Sequence, residues 1–248
     1  MIARNQAKKG LIVLSSRILT SIHTETTEYW RDEFRKPEIL GIAKGKEIGH
    51  RLADLVDEKT TALLTVNYLT KHQRDAQGRK RSRSMGDIWL WDNGIYHPVN
   101  VKTGIIGSGG QPNLVSLKKV LGTIMARQID SYYLLIVKMQ ISAEAIEPAV
   151  YLIDILDWLE YVTFDSGPGQ LMLKAVKFFN EFDPTAVKPT TTIKDKVRRL
   201  MDLYENGERR LKENREKDLD DYRRHFEAFM IDNEIIVTPE TQESLNLQ

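Results

Sequence analysis

Residues 86–103 read Gly-Asp-Ile-Trp-Leu-Trp-Asp-Asn-Gly-Ile-Tyr-His-Pro-Val-Asn-Val-Lys-Thr. Two apolar runs, Ile88 to Trp91 and Ile95 to Lys102, flank Asp92-Asn93-Gly94. Asn-Gly readily supplies the two positive φ angles of a type I′ turn, so the stretch predicts an antiparallel hairpin. With Asn93 and Gly94 as the turn, Asp92 faces Ile95, Leu90 faces His97 and Asp87 faces Asn100. Direct cross-strand neighbours hold their Cβ atoms roughly 4.5–5.5 Å apart, and Lys102 projects from the same face as Asn100 because side chains alternate. A carboxylate, an amide and an ammonium group therefore converge. Trp89, Trp91, Tyr96 and Pro98 share their face, while Ile88, Leu90, Val99 and Val101 form an apolar one. A solvent-facing hairpin without function would show the same polar pattern. Pro98 cannot donate a ladder hydrogen bond, so it predicts an edge or a bulge at that point.

Upstream of this hairpin, residues 39–56 predict an amphipathic helix with Ile48, Leu52, Leu55 and Val56 on one stripe. Residues 61–70, rich in Thr, Val and Leu, read as a strand. Beyond the hairpin come a Gly-rich loop at 104–112, a helix from Leu114 to about Ile129, and strands at 132–139, 149–154 and 170–175. Residues 194–224 carry eleven basic and nine acidic residues. They predict a helical pair, with Val197, Leu200, Met201 and Tyr204 on the first helix, a break at Asn206-Gly207, and a second helix from Leu211 toward Tyr222, Phe226 and Phe229. A solvated face and a dimer arm both fit that mixed charge. The order of elements gives an α/β (α+β) architecture, a central mixed β-sheet flanked by helices, followed by a helical C-terminal region at 194–248.

Composition narrows the function classes. The chain has 248 residues, 36 Lys+Arg against 35 Asp+Glu, and an apolar fraction of 41%. That length suits one large domain or two small ones. Without cysteine there is no disulfide scaffold, no Cys-ligated metal and no thiol nucleophile. The longest apolar run, Tyr132 to Val137, falls far short of the roughly 20 residues that span a bilayer. Ser15, Ser16 and Arg17 cut the apolar stretch Leu11 to Leu14 too short for a signal core, so a cytoplasmic location is expected. The five histidines show no zinc-ligand spacing, and the Gly-rich stretches at 107–110 and 167–169 lack the setting of a nucleotide fold. Charge is balanced overall but placed unevenly. Residues 1–17 hold Arg4, Lys8, Lys9 and Arg17 with no acid, and residues 71–83 hold Lys71, Arg74, Arg79, Lys80, Arg81 and Arg83 against Asp75 alone. Such clusters either meet phosphates or are solvated loops.

The series Gly86-Asp87-Ile88 through Val99-Asn100-Val101-Lys102-Thr103 resembles the PD-(D/E)xK nuclease motif, and within it the blunt-cutting type II restriction endonucleases of the HincII, HpaI and EcoRV group. Gln111-Pro112-Asn113-Leu114 is similar to the loop by which that group reads its site. Gly167-Pro168-Gly169-Gln170-Leu171 resembles a later strand, and the basic helical region after Thr192 is similar as well. The likeness is spread over residues 45–215.

The resemblance implies a PD-(D/E)xK restriction-endonuclease-like core over residues 1–193, cleaving double-stranded DNA at a short palindromic site by Mg²⁺-dependent phosphodiester hydrolysis. Mg²⁺ takes one or two carboxylates, keeps several waters and uses phosphate oxygens for the rest of its shell. Asp87 is the implied anchor, the main-chain carbonyl of Val101 a second ligand, and Lys102 the group beside the attacking water and scissile phosphate; Mn²⁺ is expected to substitute. Asn100 stands where the family has Asp or Glu, so it offers a ligand oxygen without charge. Glu47 is the candidate compensating acid, although an exposed helical acid paired with Arg51 fits it as well. Gln111 and Asn113 are implied at base edges, where amides pair with adenine; Asn113 equally suits a helix N-cap before Leu114. Arg79, Lys80, Arg81, Arg83, Thr103 and Ser108 are implied at phosphates. A palindrome calls for a homodimer, and a cognate DNA methyltransferase would act on the same site without needing to bind. Two other functions remain open: a repair, recombination or nicking nuclease of the same fold, and a catalytically inactive DNA-binding relative.

Overall fold

Asn93 at φ 50° and Gly94 at φ 80° form the predicted turn in a computed structural model that describes residues 13–43, 48–72, 77, 84–106, 111–142, 145–186 and 192–231. Strands β1 (Ile88–Asp92) and β2 (Ile95–Ile105) pair antiparallel in the expected register, with Leu90 opposite His97 and Asp92 opposite Ile95. Pro98 opens no bulge. Val99 and Val101 turn their backbone groups toward β1, so by alternation Pro98 points its nitrogen to the other edge of β2. There the parallel partner β4 (Tyr133–Ile141) begins pairing only at Val99, and the missing N–H breaks no ladder bond.

β5 (Ile146–Asp154) adds antiparallel to β4, giving a mixed central sheet in the order β1-β2-β4-β5. A second, antiparallel sheet is ordered β3-β7-β6, from β3 (Asn113–Ser116), β7 (Gln170–Leu173) and β6 (Val162–Asp165). Helices α1 (Ser16–Glu33), α2 (Pro37–Ala43) and α3 (Ile48–Asn67) cover one face of the central sheet, sealing Ile88, Leu90, Val99, Val101, Leu135 and Val137. The small sheet, α4 (Leu117–Met125), α5 (Ala175–Glu181) and the first turns of α6 (Ile193–Ile231) cover the other face, over Leu134 and Ile136. The expected mixed α/β class is thus present.

Several boundaries differ from the sequence reading. The helix expected over 39–56 is two helices, and the strand expected over 61–70 is the second half of α3. Leu52, Val56, Thr60 and Leu64, all buried, continue one stripe at i+4 spacing, and Thr61 and Thr65 bond back to the carbonyls of Asp57 and Thr61. Burial of that stripe settles into a helix what β-branched composition suggested was a strand, and the hydroxyls find acceptors within it. The helix expected from Leu114 starts at Leu117, after a short strand that pairs with β7, so Ser116 and not Asn113 takes the N-cap position. The helical pair expected across Asn206-Gly207 is one helix, because Gly207 lowers helix stability by only about 1 kcal/mol and is tolerated.

The chain divides into two compact units, Met1–Tyr204 and Glu205–Gln248. The first extends past residue 193 because Lys196 and Leu200 on α6 are buried in its core. In the second, the described part is helical, with most of its side chains exposed. Among the described residues no helix is long and apolar enough to cross a membrane.

Candidate active site

Asp87 stands one residue before β1, on a tight approach to β2. A Cβ at Gly86 would lie 2.9 Å from the Val99 carbonyl oxygen and 3.0 Å from the Val99 nitrogen, so only glycine lets the chain come this close. The Asp87 N–H donates to the Val99 carbonyl at 2.9 Å, and the Val101 N–H donates to Asp87 Oδ2 at 2.7 Å. The carboxylate thus stands in for a backbone acceptor where β1 has run out. Because the N–H and C=O of a strand residue point the same way, the Val101 carbonyl faces the edge that Asp87 borders.

Asn100 is buried, 4% exposed, and its amide nitrogen donates to the Leu114 carbonyl and to Tyr132 Oη. It belongs to the core beneath β3. Burial holds the Tyr132 phenol far above its ordinary range, so this hydroxyl is a neutral partner. Lys102 is half-buried next along the same face, and among the described residues no carboxylate lies within 4 Å of its ammonium.

An acid that sequence reasoning missed completes the group. Asp57, on α3, accepts the Thr103 hydroxyl at 2.7 Å, and the same hydroxyl reaches the Ala53 carbonyl at 3.3 Å. Burial pushes the Asp57 carboxyl up to about 6. The Thr103 hydrogen bond and the charge of Lys102 oppose that rise, while Asp87 and Asp54 add to it. Asp57 therefore lies in the field of both hairpin residues. Ending the predicted helix at residue 56 hid it; carrying the stripe one turn further would have set it against Thr103, which shares the α3-facing side of β2 with Val99 and Val101.

The other predicted residues are more dispersed. Gln111 is exposed, and Asn113 opens β3 opposite Met172 with its side chain exposed. Thr103 is committed to Asp57 and turned to α3, away from the polar face. Glu47, Arg79, Lys80, Arg81, Arg83 and Ser108 lie outside the described residues. Among the described residues no three His, Asp or Glu side chains form a cluster that could hold a metal ion. The donors that do gather, the Asp87 carboxylate and the edge-facing Val101 carbonyl, are hard oxygens of the kind a divalent cation takes. No protein-family model matches this chain, and no curated protein matches it.

Proposed function

We propose that the chain is a Mg²⁺-dependent type II restriction endonuclease with a PD-(D/E)xK core, acting as a homodimer on double-stranded DNA. The observation that carries this reading is the edge of β2 beyond β1, where Asp87 caps Val101, Lys102 stands next along the strand, and Asp57 shares the field of both. Asp87 and the Val101 carbonyl would hold the ion, which when bound supplies Lewis-acid polarisation of a phosphate oxygen and a more acidic water. Lys102 orients the attacking water and offsets the charge that builds on the pentacovalent phosphorus. Thr103 fixes Asp57 against β2, keeping that acid beside the site instead of in solvent. Gln111 and Asn113, both exposed, are free to meet base edges.

One observation favours a second reading, a DNA-binding relative without catalysis: the amide that replaces the family acid at position 100 is spent on core hydrogen bonds. Incubation of purified protein with plasmid DNA, in Mg²⁺ and in chelator, followed by mapping of the ends, separates the two. Discrete fragments in Mg²⁺ alone, reduced about a hundredfold or more by Asp87→Ala and by Lys102→Ala while DNA binding persists, support the endonuclease. Nicks or branch-dependent products point to a repair nuclease. Binding without Mg²⁺-supported cleavage points to the inactive relative.

A further inference from the structure

The second unit carries an apolar stripe that is exposed among the described residues. Along α6, Leu219 is 50% exposed, Tyr222 74%, Phe226 62% and Phe229 56%. Their spacings alternate between three and four residues, which places all four on one seam of the helix. A solvated helix has no use for two exposed phenylalanines and a tyrosine in register. Charge flanks this seam with opposite sign: Asp218 lies on one side, Arg223 on the other. We infer that residues 218–229 pair with the same segment of a second copy of this chain as a parallel two-stranded coil.

The sign of the flanks selects both the partner and its direction. In a parallel coil the flank residue before a seam position on one strand meets the flank residue five places later on the other. Asp218 then meets Arg223 of the second copy, and by symmetry the contact forms twice. An antiparallel pairing would set the acidic flanks together and the basic flanks together, which like-charge repulsion disfavours. Within a single chain Arg223 leans on Asp220 at 3.5 Å, both side chains about two-thirds exposed, an interaction weak enough to be exchanged. Upstream, the same heptad spacing brings Lys212 and Arg215 to the seam, where two copies would oppose like charges, so the contact begins at Leu219. The dimeric state is shared with the proposed function, but the paired segment and its direction are not: a dimer indifferent to Phe226→Glu overturns the coil and leaves the endonuclease reading standing, whereas a Phe226-dependent dimer without cleavage does the reverse.

The test is the mass of the full chain in solution by light scattering and sedimentation. Wild type is expected at the mass of two chains, and Phe226→Glu at that of one with unchanged helicity by circular dichroism. Asp218→Arg and Arg223→Asp each weaken association about tenfold or more, whereas their equimolar mixture forms a heterodimer and the double variant regains the wild-type affinity. Because the chain has no cysteine, Leu219→Cys reports direction: mild oxidation yields a covalent dimer only if Leu219 faces its own counterpart. A monomeric wild type, a dimer indifferent to Phe226→Glu and the charge exchanges, or no cross-link at position 219 overturns the inference. Capture of an unlike protein or a membrane by a monomeric chain would overturn it equally.

Discussion

Burial drives the Asp57 carboxyl up to about 6, against the donated Thr103 hydroxyl and the positive charge of Lys102, while Asp87 and Asp54 reinforce it. A carboxyl raised in the folded state binds its proton more tightly there than in the unfolded chain. Its contribution to stability is full below the ordinary value of 3.8 and is lost as pH rises through about 6. At neutral pH the ionised group therefore destabilises the fold, by at most about 3 kcal/mol for a shift of this size. Asp57→Asn keeps an acceptor for Thr103 and removes the charge. Urea unfolding in chelator is expected to show the variant gaining on wild type between pH 4 and pH 7, by about 2–3 kcal/mol. A difference that stays flat across that window would show that Asp57 is not held in the environment described. On the endonuclease proposal, cleavage measured in parallel is expected to fall even as stability rises, because Asp57→Asn removes a charge from beside Asp87 and Lys102.

Among the elements, the hairpin was legible because its determinants are local: Asn-Gly fixes the turn, and the turn fixes the register that sets Leu90 opposite His97 and Asp92 opposite Ile95. What escaped the sequence depends on partners far along the chain. The second half of α3 is decided by Thr60 and Leu64 entering the core, and Asn113 enters a strand because Met172 waits opposite it. Two glycines test how closely these elements are fitted. A Cβ at Gly86 meets backbone atoms of β1 and β2, at 3.0 Å from the Ile88 carbonyl and 2.9 Å from that of Val99. At Gly104 it meets the far end of the Phe179 ring, which can rotate away. Gly86→Ala is expected to lower stability by about 1–3 kcal/mol and to displace Asp87, with Gly104→Ala milder despite the closer initial overlap. Denaturation midpoints give the ranking, and the reverse order would mean that the strand approach at Gly86 is soft.

For the first unit as a whole, the start of α6 is tied to the end of the central sheet by buried polar groups. Lys196, 1% exposed on α6, donates to Asp154 Oδ2 at 2.9 Å and lies 2.7 Å from Asp157 Oδ1. Asp154 Oδ1 in turn accepts the N–H groups of Tyr132 at 3.0 Å and Leu156 at 3.2 Å, fixing the chain at the end of β5 and the start of β4. The sequence shows Lys196 only as one charge in a helix that reads as solvated, because Asp154 and Asp157 lie about forty residues away. Burial alone would pull the Lys196 ammonium down, but the two carboxylates outweigh it and hold the group above its ordinary value, so it is charged at any working pH. Lys196→Met keeps much of the volume and removes the positive charge that both acids share. Breaking such a buried pair from one side is expected to lower stability by about 3–5 kcal/mol at neutral pH. The loss must shrink on acidification, because without the ammonium the folded carboxyls rise, and protonation below their unfolded values restores the stability they withhold at higher pH. Urea unfolding from pH 4 to pH 7 should thus show wild type and Lys196→Met diverging as pH increases. A gap of constant width would mean that Lys196 holds the fold through packing, with its charge already balanced elsewhere.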